Sequence, residues 1–277
     1  LVVEYSDLFN DRDYLERRRR FDLDMTLSKI ALLRTQMLTV GLRYERFSGV
    51  TDLPLGVLPP QEGGLSGLRL AWRFSSAKEY GFSISREDGR RIQFSYDRFD
   101  PRLGSDFTQN RYIASWREYQ RLFGSHHVIA GRLTGAAAAG DRLIQRTFAV
   151  GGPTLTEEWI DPDQADFFLR GYPSRITRGE KAALGTVEYR FPLWNIERGY
   201  RTWPFFFRRA HAGFFYDIGN AWDGAVEWKK FRRGIGSEVK MDMVLGYWAP
   251  VRLRLGLARG LDEEGVTQLY FTIGNSF

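Results

Sequence analysis

Residues 251–260 read VRLRLGLARG. Val251, Leu253, Leu255 and Leu257 alternate with Arg252, Arg254, Gly256 and Ala258. A period of two puts successive side chains on opposite faces of a strand. One face here is aliphatic, and the other carries two arginines in mid-strand. A soluble sandwich buries its apolar face and wets its polar one. Charges set along the middle of one face, opposite bulky aliphatics, instead fit a wall with lipid outside and a polar interior.

The same alternation recurs along the chain. Phe21, Leu23, Met25 and Leu27 alternate with Asp22, Asp24, Thr26 and Ser28, and Leu68, Leu70, Trp72 and Phe74 with Arg69, Ala71, Arg73 and Ser75. Counting such segments predicts about twelve strands, near 1–9, 19–31, 35–48, 67–85, 90–100, 109–122, 127–139, 181–193, 208–219, 231–247, 250–260 and 266–277. Parity assigns Leu23, Leu42, Phe94, Val187, Leu255 and Phe271 to a lipid face, and Arg69, Gln93, Glu188, Arg254 and Thr272 to a lumen. Lys78 breaks the pattern, because parity points it outward in the middle of a long strand. Short turns are expected at ALLR (31–34), REDG (86–89), FGSHH (123–127) and YWAP (247–250), with a longer connection on the same side over 194–207. Long connections lie between them near 49–66, 101–108, 140–180, 220–230 and 261–265. Alternating short and long connections match bacterial barrels, whose short turns are periplasmic. The fold class is therefore all-β: a transmembrane antiparallel β-barrel, the form that satisfies every backbone group in lipid without helices.

Composition agrees. Aromatic residues make up 15% of the 277 residues, including 21 Phe and 8 Trp, as interfacial girdles require. No run of roughly 18 apolar residues encodes a membrane helix, and no signal peptide opens the chain. The absence of Cys excludes disulfides and thiolate metal sites. The net charge of +6 invites a nucleic-acid reading, but the cations are scattered singly through strands. The one dense run is Arg17, Arg18, Arg19 and Arg20, at the extracellular end of a strand, where lipopolysaccharide phosphates are one expected partner.

Several motifs occur in order: REDGRR (86–91), FAVGG (148–152), FLRGYPS (168–174), GTVEYRFPL (185–193), FFYDIGNAW (214–222), GIGSEV (234–239), VRLRLGLARG (251–260) and LYFTIGNSF (269–277). The set spans roughly residues 67–277 and resembles the C-terminal barrel of the BamA/TamA-like superfamily of outer-membrane "surface antigen" proteins. The resemblance implies a barrel of about 16 strands, with residues 140–180 folded back into the lumen and Phe277 as a C-terminal barrel signal. It also implies that about four N-terminal strands and the periplasmic domains are missing, so the chain is expected to be a fragment, with an unusual smaller barrel as the alternative. Another chain could then supply strands. Members of the family insert or translocate polypeptides, or anchor periplasmic or secreted domains. The expected function is non-catalytic insertion or translocation at the bacterial outer membrane, with outer-membrane lipids, polypeptide substrates and accessory periplasmic proteins as partners. The alternative is an anchor for a missing N-terminal domain, or a passive pore. No cofactor is expected. The stretch PTLTEEWIDPDQADF (153–167) departs from the family pattern.

The resemblance marks Leu169, Arg170, Gly171 and Tyr172 as the tip of the infolded loop. Taken out of bulk water, the Arg170 guanidinium requires a paired, hydrogen-bonded acceptor. Glu188 and Asp217 have lumen parity on successive strands, so Arg170 is predicted to reach Glu188, Asp217 or both. Other sets are weaker. His126 and His127 lie in a turn. His211 has lumen parity with Asp217, but no Ser matches them for a hydrolase triad. Asp161, Asp163 and Asp166 resemble a Ca²⁺ loop but lack its Gly and closing Glu. An exposed acidic loop is the expectation.

Overall fold

The computed structural model describes the chain except residues 1, 6–13, 52–60, 125, 144–145, 153–166, 200 and 276–277. In chain order the strands are β1 (Val2–Tyr5), β2 (Tyr14–Ala31), β3 (Arg34–Thr51), β4 (Gly63–Ser75), β5 (Gly89–Phe99), β6 (Gln109–Arg121), β7 (Val128–Gly140), β8 (Phe148–Val150), β9 (Thr177–Gly179), β10 (Lys181–Gly199), β11 (Phe205–Trp222), β12 (Arg232–Leu245), β13 (Ala249–Gly260) and β14 (Thr267–Asn275). All but β8 and β9 form one antiparallel sheet of twelve strands in sequential order. β8 and β9 pair with each other inside the long connection between β7 and β10. Among the described residues, β1 pairs with β2 and β14 with β13, and no ladder joins the two edges.

The faces follow the period-two pattern. Leu23, Leu42, Phe94, Val187, Leu255 and Phe271 are all exposed, with 37–59% of their surface accessible. The opposite face is lined by ionised side chains that pair with one another, such as Arg43 with Asp97 at 2.7 Å and Arg252 with Asp242 at 2.6 Å. An apolar outside and a charge-paired inside are the inverse of a soluble core. Trp194, Trp203, Tyr247 and Trp248 stand exposed around the short-turn end, where an aromatic girdle belongs.

The two largest boundary differences from the sequence expectation have structural causes. The strand expected over 67–85 stops at Ser75, and REDG is not a tight turn between two long strands. Residues 76–88 make a separate excursion. Lys78 N–H donates to the Asp88 carbonyl at 2.8 Å, and the chain reverses at Tyr80–Ser83. Its inner side is buried: Ile84 is 1% exposed and Glu87 0%. His126 Nδ1 meets the Glu87 carboxylate at 2.5 Å, and an Arg209 N–H donates to the Ser83 carbonyl. These interior partners draw the segment out of the sheet. Lys78 therefore lies beyond the strand, which removes its parity conflict. The second difference is β10, which runs on to Gly199 through register shifts at Pro192–Trp194 and Asn195–Arg198. Bulges of this kind bend a strand, and the connection expected over 194–207 shortens to 200–204.

Candidate functional site: a loop held in the lumen

The described parts of the connection after β7 enter the concave face and are held there at two places. On one side, Phe148, Val150, Phe167, Leu169 and Tyr172 pack against Ile113, Ala182, Leu184 and Ala221 of the wall. Leu169 N–H donates to the Gly151 carbonyl at 2.7 Å, closing the loop on its own FAVGG segment. Arg170 projects from this apolar knot into the wall. Its Nε and Nη2 donate to the two oxygens of Asp217, at 2.6 and 2.7 Å, a bidentate pair. Its Nη1 donates to Glu188 at 2.9 Å and to Glu238 at 3.1 Å. The guanidinium carbon lies 3.5 Å from the centre of the Phe215 ring. Asp217 is fully buried, and only 12% of the Arg170 side chain is accessible.

One arginine cannot neutralise three carboxylates, and further cations complete the balance. Arg190 donates to the second oxygen of Glu188 at 2.8 and 2.6 Å. Lys240 sits 2.7 Å from Glu238, and the Tyr270 hydroxyl donates to Glu238 at 2.5 Å. Burial opposes the charge on Arg170, yet the hydrogen bonds to Asp217 and the fields of Glu188 and Glu238 raise its pKa well above the ordinary value. Arg170 thus meets both expected carboxylates. Glu238, Phe215, Lys240 and Tyr270 were missed as partners, although lumen parity alone marked Glu238 and Lys240.

Tyr172 and Gly171 continue the seat. The Tyr172 hydroxyl donates to the Arg233 carbonyl at 2.8 Å and accepts from Asp262 N–H at 3.0 Å. Arg233 in turn hydrogen-bonds the Asp262 carboxylate at 2.6 Å, which holds its pKa below the usual value. Gly171 has φ +85°, and its carbonyl accepts from Val266 N–H at 2.9 Å. A Cβ on Gly234 would stand 2.2 Å from the Arg170 carbonyl, and one on Gly260 2.4 Å from the Gly171 carbonyl. The glycines of GIGSEV and VRLRLGLARG therefore let the loop tip lie directly on the wall backbone.

The second hold was not anticipated. Arg146, before β8, is buried against the opposite part of the wall. It hydrogen-bonds Glu45 of β3 and donates from Nε to Gln109 at 2.8 Å, with its guanidinium carbon 4.8 Å from the Phe99 ring centre. Leu143 packs beside it with Phe47, Leu65 and Phe99. Glu45 also pairs with Arg18. This splits the arginine run. Arg18 faces the lumen and Arg20 meets Asp22 at 2.8 Å, whereas Arg17 and Arg19 stand exposed on the other face.

The other sequence candidates do not assemble a reactive set. His211 is buried, and its Nδ1 has no hydrogen-bond partner among the described residues, while Asp217 is engaged by Arg170. His127 Nδ1 bonds the Tyr189 hydroxyl at 2.8 Å. Asp161, Asp163, Asp166 and Phe277 lie outside the described residues.

Over 99% of its length the chain superposes on the crystal structure of BamA from Haemophilus ducreyi lacking POTRA domains 1-3, with a TM-score of 0.64. The fold resembles a BamA barrel. Sequence identity is 13%, so the likeness extends to the fold alone, and the chain spans 56% of the length of that BamA chain. No protein-family model matches the sequence, and no curated protein matches it.

Proposed function

We propose that the chain is an outer-membrane barrel that assists the insertion or translocation of polypeptides, without covalent chemistry. The observation that carries this reading is the Arg170 cluster. A desolvated guanidinium shared among three wall carboxylates has a docked state of well-defined geometry, and its release exposes a row of lumen charges. Release of this docked state would supply the second arrangement that a gate requires. Leu169, Arg170, Gly171, Tyr172, Glu188 and Asp217 are the residues that lock it. Among the described residues no ladder joins β1 to β14, so backbone groups on these edges are open to a substrate strand or to strands from another chain. Accessory periplasmic proteins would approach from the short-turn end. At the other end, the outward Arg17 and Arg19 are suited to lipopolysaccharide phosphates.

The test is reconstitution of the folded chain into liposomes, followed by the folding rate of a urea-denatured outer-membrane barrel added outside. The expected result is faster folding than in empty liposomes, and a changed rate with Arg170→Ala. Equal rates in loaded and empty liposomes would refute the insertion reading. Steady ion conductance by the unaltered chain would favour a passive pore.

A further inference from the structure

The outer wall carries a groove of about 650 Å³ at the short-turn end, between the β2–β3 turn and the 76–88 excursion. Strand register orders its lining in rows. Gln36, Phe74 and Ile92 lie side by side across β3, β4 and β5. One step deeper toward the apolar belt, Leu38, Trp72 and Phe94 form the next outward row. One step the other way come Arg34 and Arg90, flanking Ser76, whose N–H donates to the Arg90 carbonyl at 2.8 Å. Lys78 lies beyond them. Steps of two residues are about 7 Å along a strand. The groove therefore passes from a cationic rim to an aromatic floor, where Trp72 stacks on Phe74 at 6.2 Å, and on to aliphatic wall, within about 14 Å.

Charge on the rim is one-sided. Arg34 and Lys78 are exposed and have no acidic partner among the described residues, and Arg90 shares an exposed pair with Glu118 at 3.1 Å. The one acid lining the groove is Asp88, which accepts from the Tyr80 hydroxyl at 2.8 Å. Cations at the mouth of an apolar slot fit an amphiphile with an anionic head and hydrocarbon tails. Since short turns are periplasmic, the leaflet at this level is the inner one. We infer that this groove is a binding site for an anionic phospholipid of the inner leaflet. Its phosphate sits among Arg34, Lys78 and Arg90, and one acyl chain runs along Phe74, Trp72 and Leu38. Near a membrane surface each such cation contributes measurably to anionic-lipid binding. The inference needs only the membrane-spanning wall. It is independent of whether the barrel handles polypeptides.

The experiment is native mass spectrometry of the full chain, folded in detergent and titrated separately with phosphatidylglycerol, phosphatidylcholine and inorganic phosphate. Retention of one phosphatidylglycerol in preference to phosphatidylcholine is expected. The triple variant R34Q/K78Q/R90Q should weaken it by about tenfold or more, while K229Q/K230Q, in the exposed connection between β11 and β12 at the other end of the barrel, should not. Heat-modifiable gel migration reports folding. Should the triple variant fail to fold, Arg34→Gln and Lys78→Gln singly should each lower retention by a few-fold. Equal retention of phosphatidylcholine would overturn the site, as would equally tight binding of inorganic phosphate alone or unchanged binding in the variants.

Discussion

The loop is held by two arginines on opposite parts of the wall, and they are held differently. Arg170 faces three carboxylates, which are themselves balanced by Arg190 and Lys240, so every charge in the cluster has opposing neighbours. Arg146 has one carboxylate, Glu45, which it shares with Arg18, and a neutral acceptor in Gln109. Its Nη2 is buried without a hydrogen bond among the described residues. Burial pushes the Arg146 guanidinium down to about 10, opposed by Glu45 and reinforced by Arg111 and Arg18. The Arg170 cluster is thus an acid-rich cage that one cation completes, whereas the Arg146 hold is cation-rich and leaner. Removing the completing cation should cost more than removing a surplus one.

The largest effect is therefore expected for Arg170→Ala, which leaves Asp217 buried without its bidentate partner and Glu238 with Lys240 and Tyr270. Loop docking should weaken by about 3–5 kcal/mol, seen as rapid proteolysis within residues 141–180. Arg170→Lys should recover part of this, because a point charge replaces the bidentate fork. Unchanged proteolysis in Arg170→Ala would end the cage argument. Gly260→Ala comes next. Its Cβ would meet the Gly171 carbonyl and the Tyr172 ring, so overpacking of about 1–3 kcal/mol is expected, with the same proteolytic signature although no charge changes.

Arg146→Ala should cost less, about 1–2 kcal/mol, because Glu45 keeps Arg18. Heat-modifiable gel migration should then fall by fewer degrees than in Arg170→Ala. The reverse order would break the comparison between the two holds. The smallest effect belongs to Asp262→Asn, below about 1 kcal/mol, since that carboxylate is partly exposed. Its folded pKa is depressed below 3.8 by Arg233. Its contribution should be fully present above pH 3.8 and disappear as pH falls below that value. A loop-release profile that Asp262→Asn leaves unaltered in this acid range would remove Asp262 from the seat.

Local pattern carried much of this. The strand faces, the exposed Leu/Phe set and the lumen parity of Glu188, Asp217 and Glu238 follow from a period of two, which needs no knowledge of the fold. The same parity separates Arg17 and Arg19 from Arg18 and Arg20, although the run invites reading as one patch. The Arg146–Glu45 pair was not legible, because its members are 101 residues apart and nothing local marks Arg146. The 76–88 excursion was hidden for a similar reason. Apart from Lys78 its alternation continues that of β4, and contacts with His126 and Arg209 across the interior turn it out of the sheet.

By itself the sequence determined which side of each strand meets lipid, where most strands begin and end, and that Arg170 needs carboxylates. Periodicity and desolvation act residue by residue. Only the tertiary structure decided which carboxylates share Arg170, that Arg146 braces the loop from the other side, and that glycines of β12 and β13 underlie its tip. Those contacts depend on the curvature of the sheet and the path of the loop, which bring distant backbones within a few ångströms of one another.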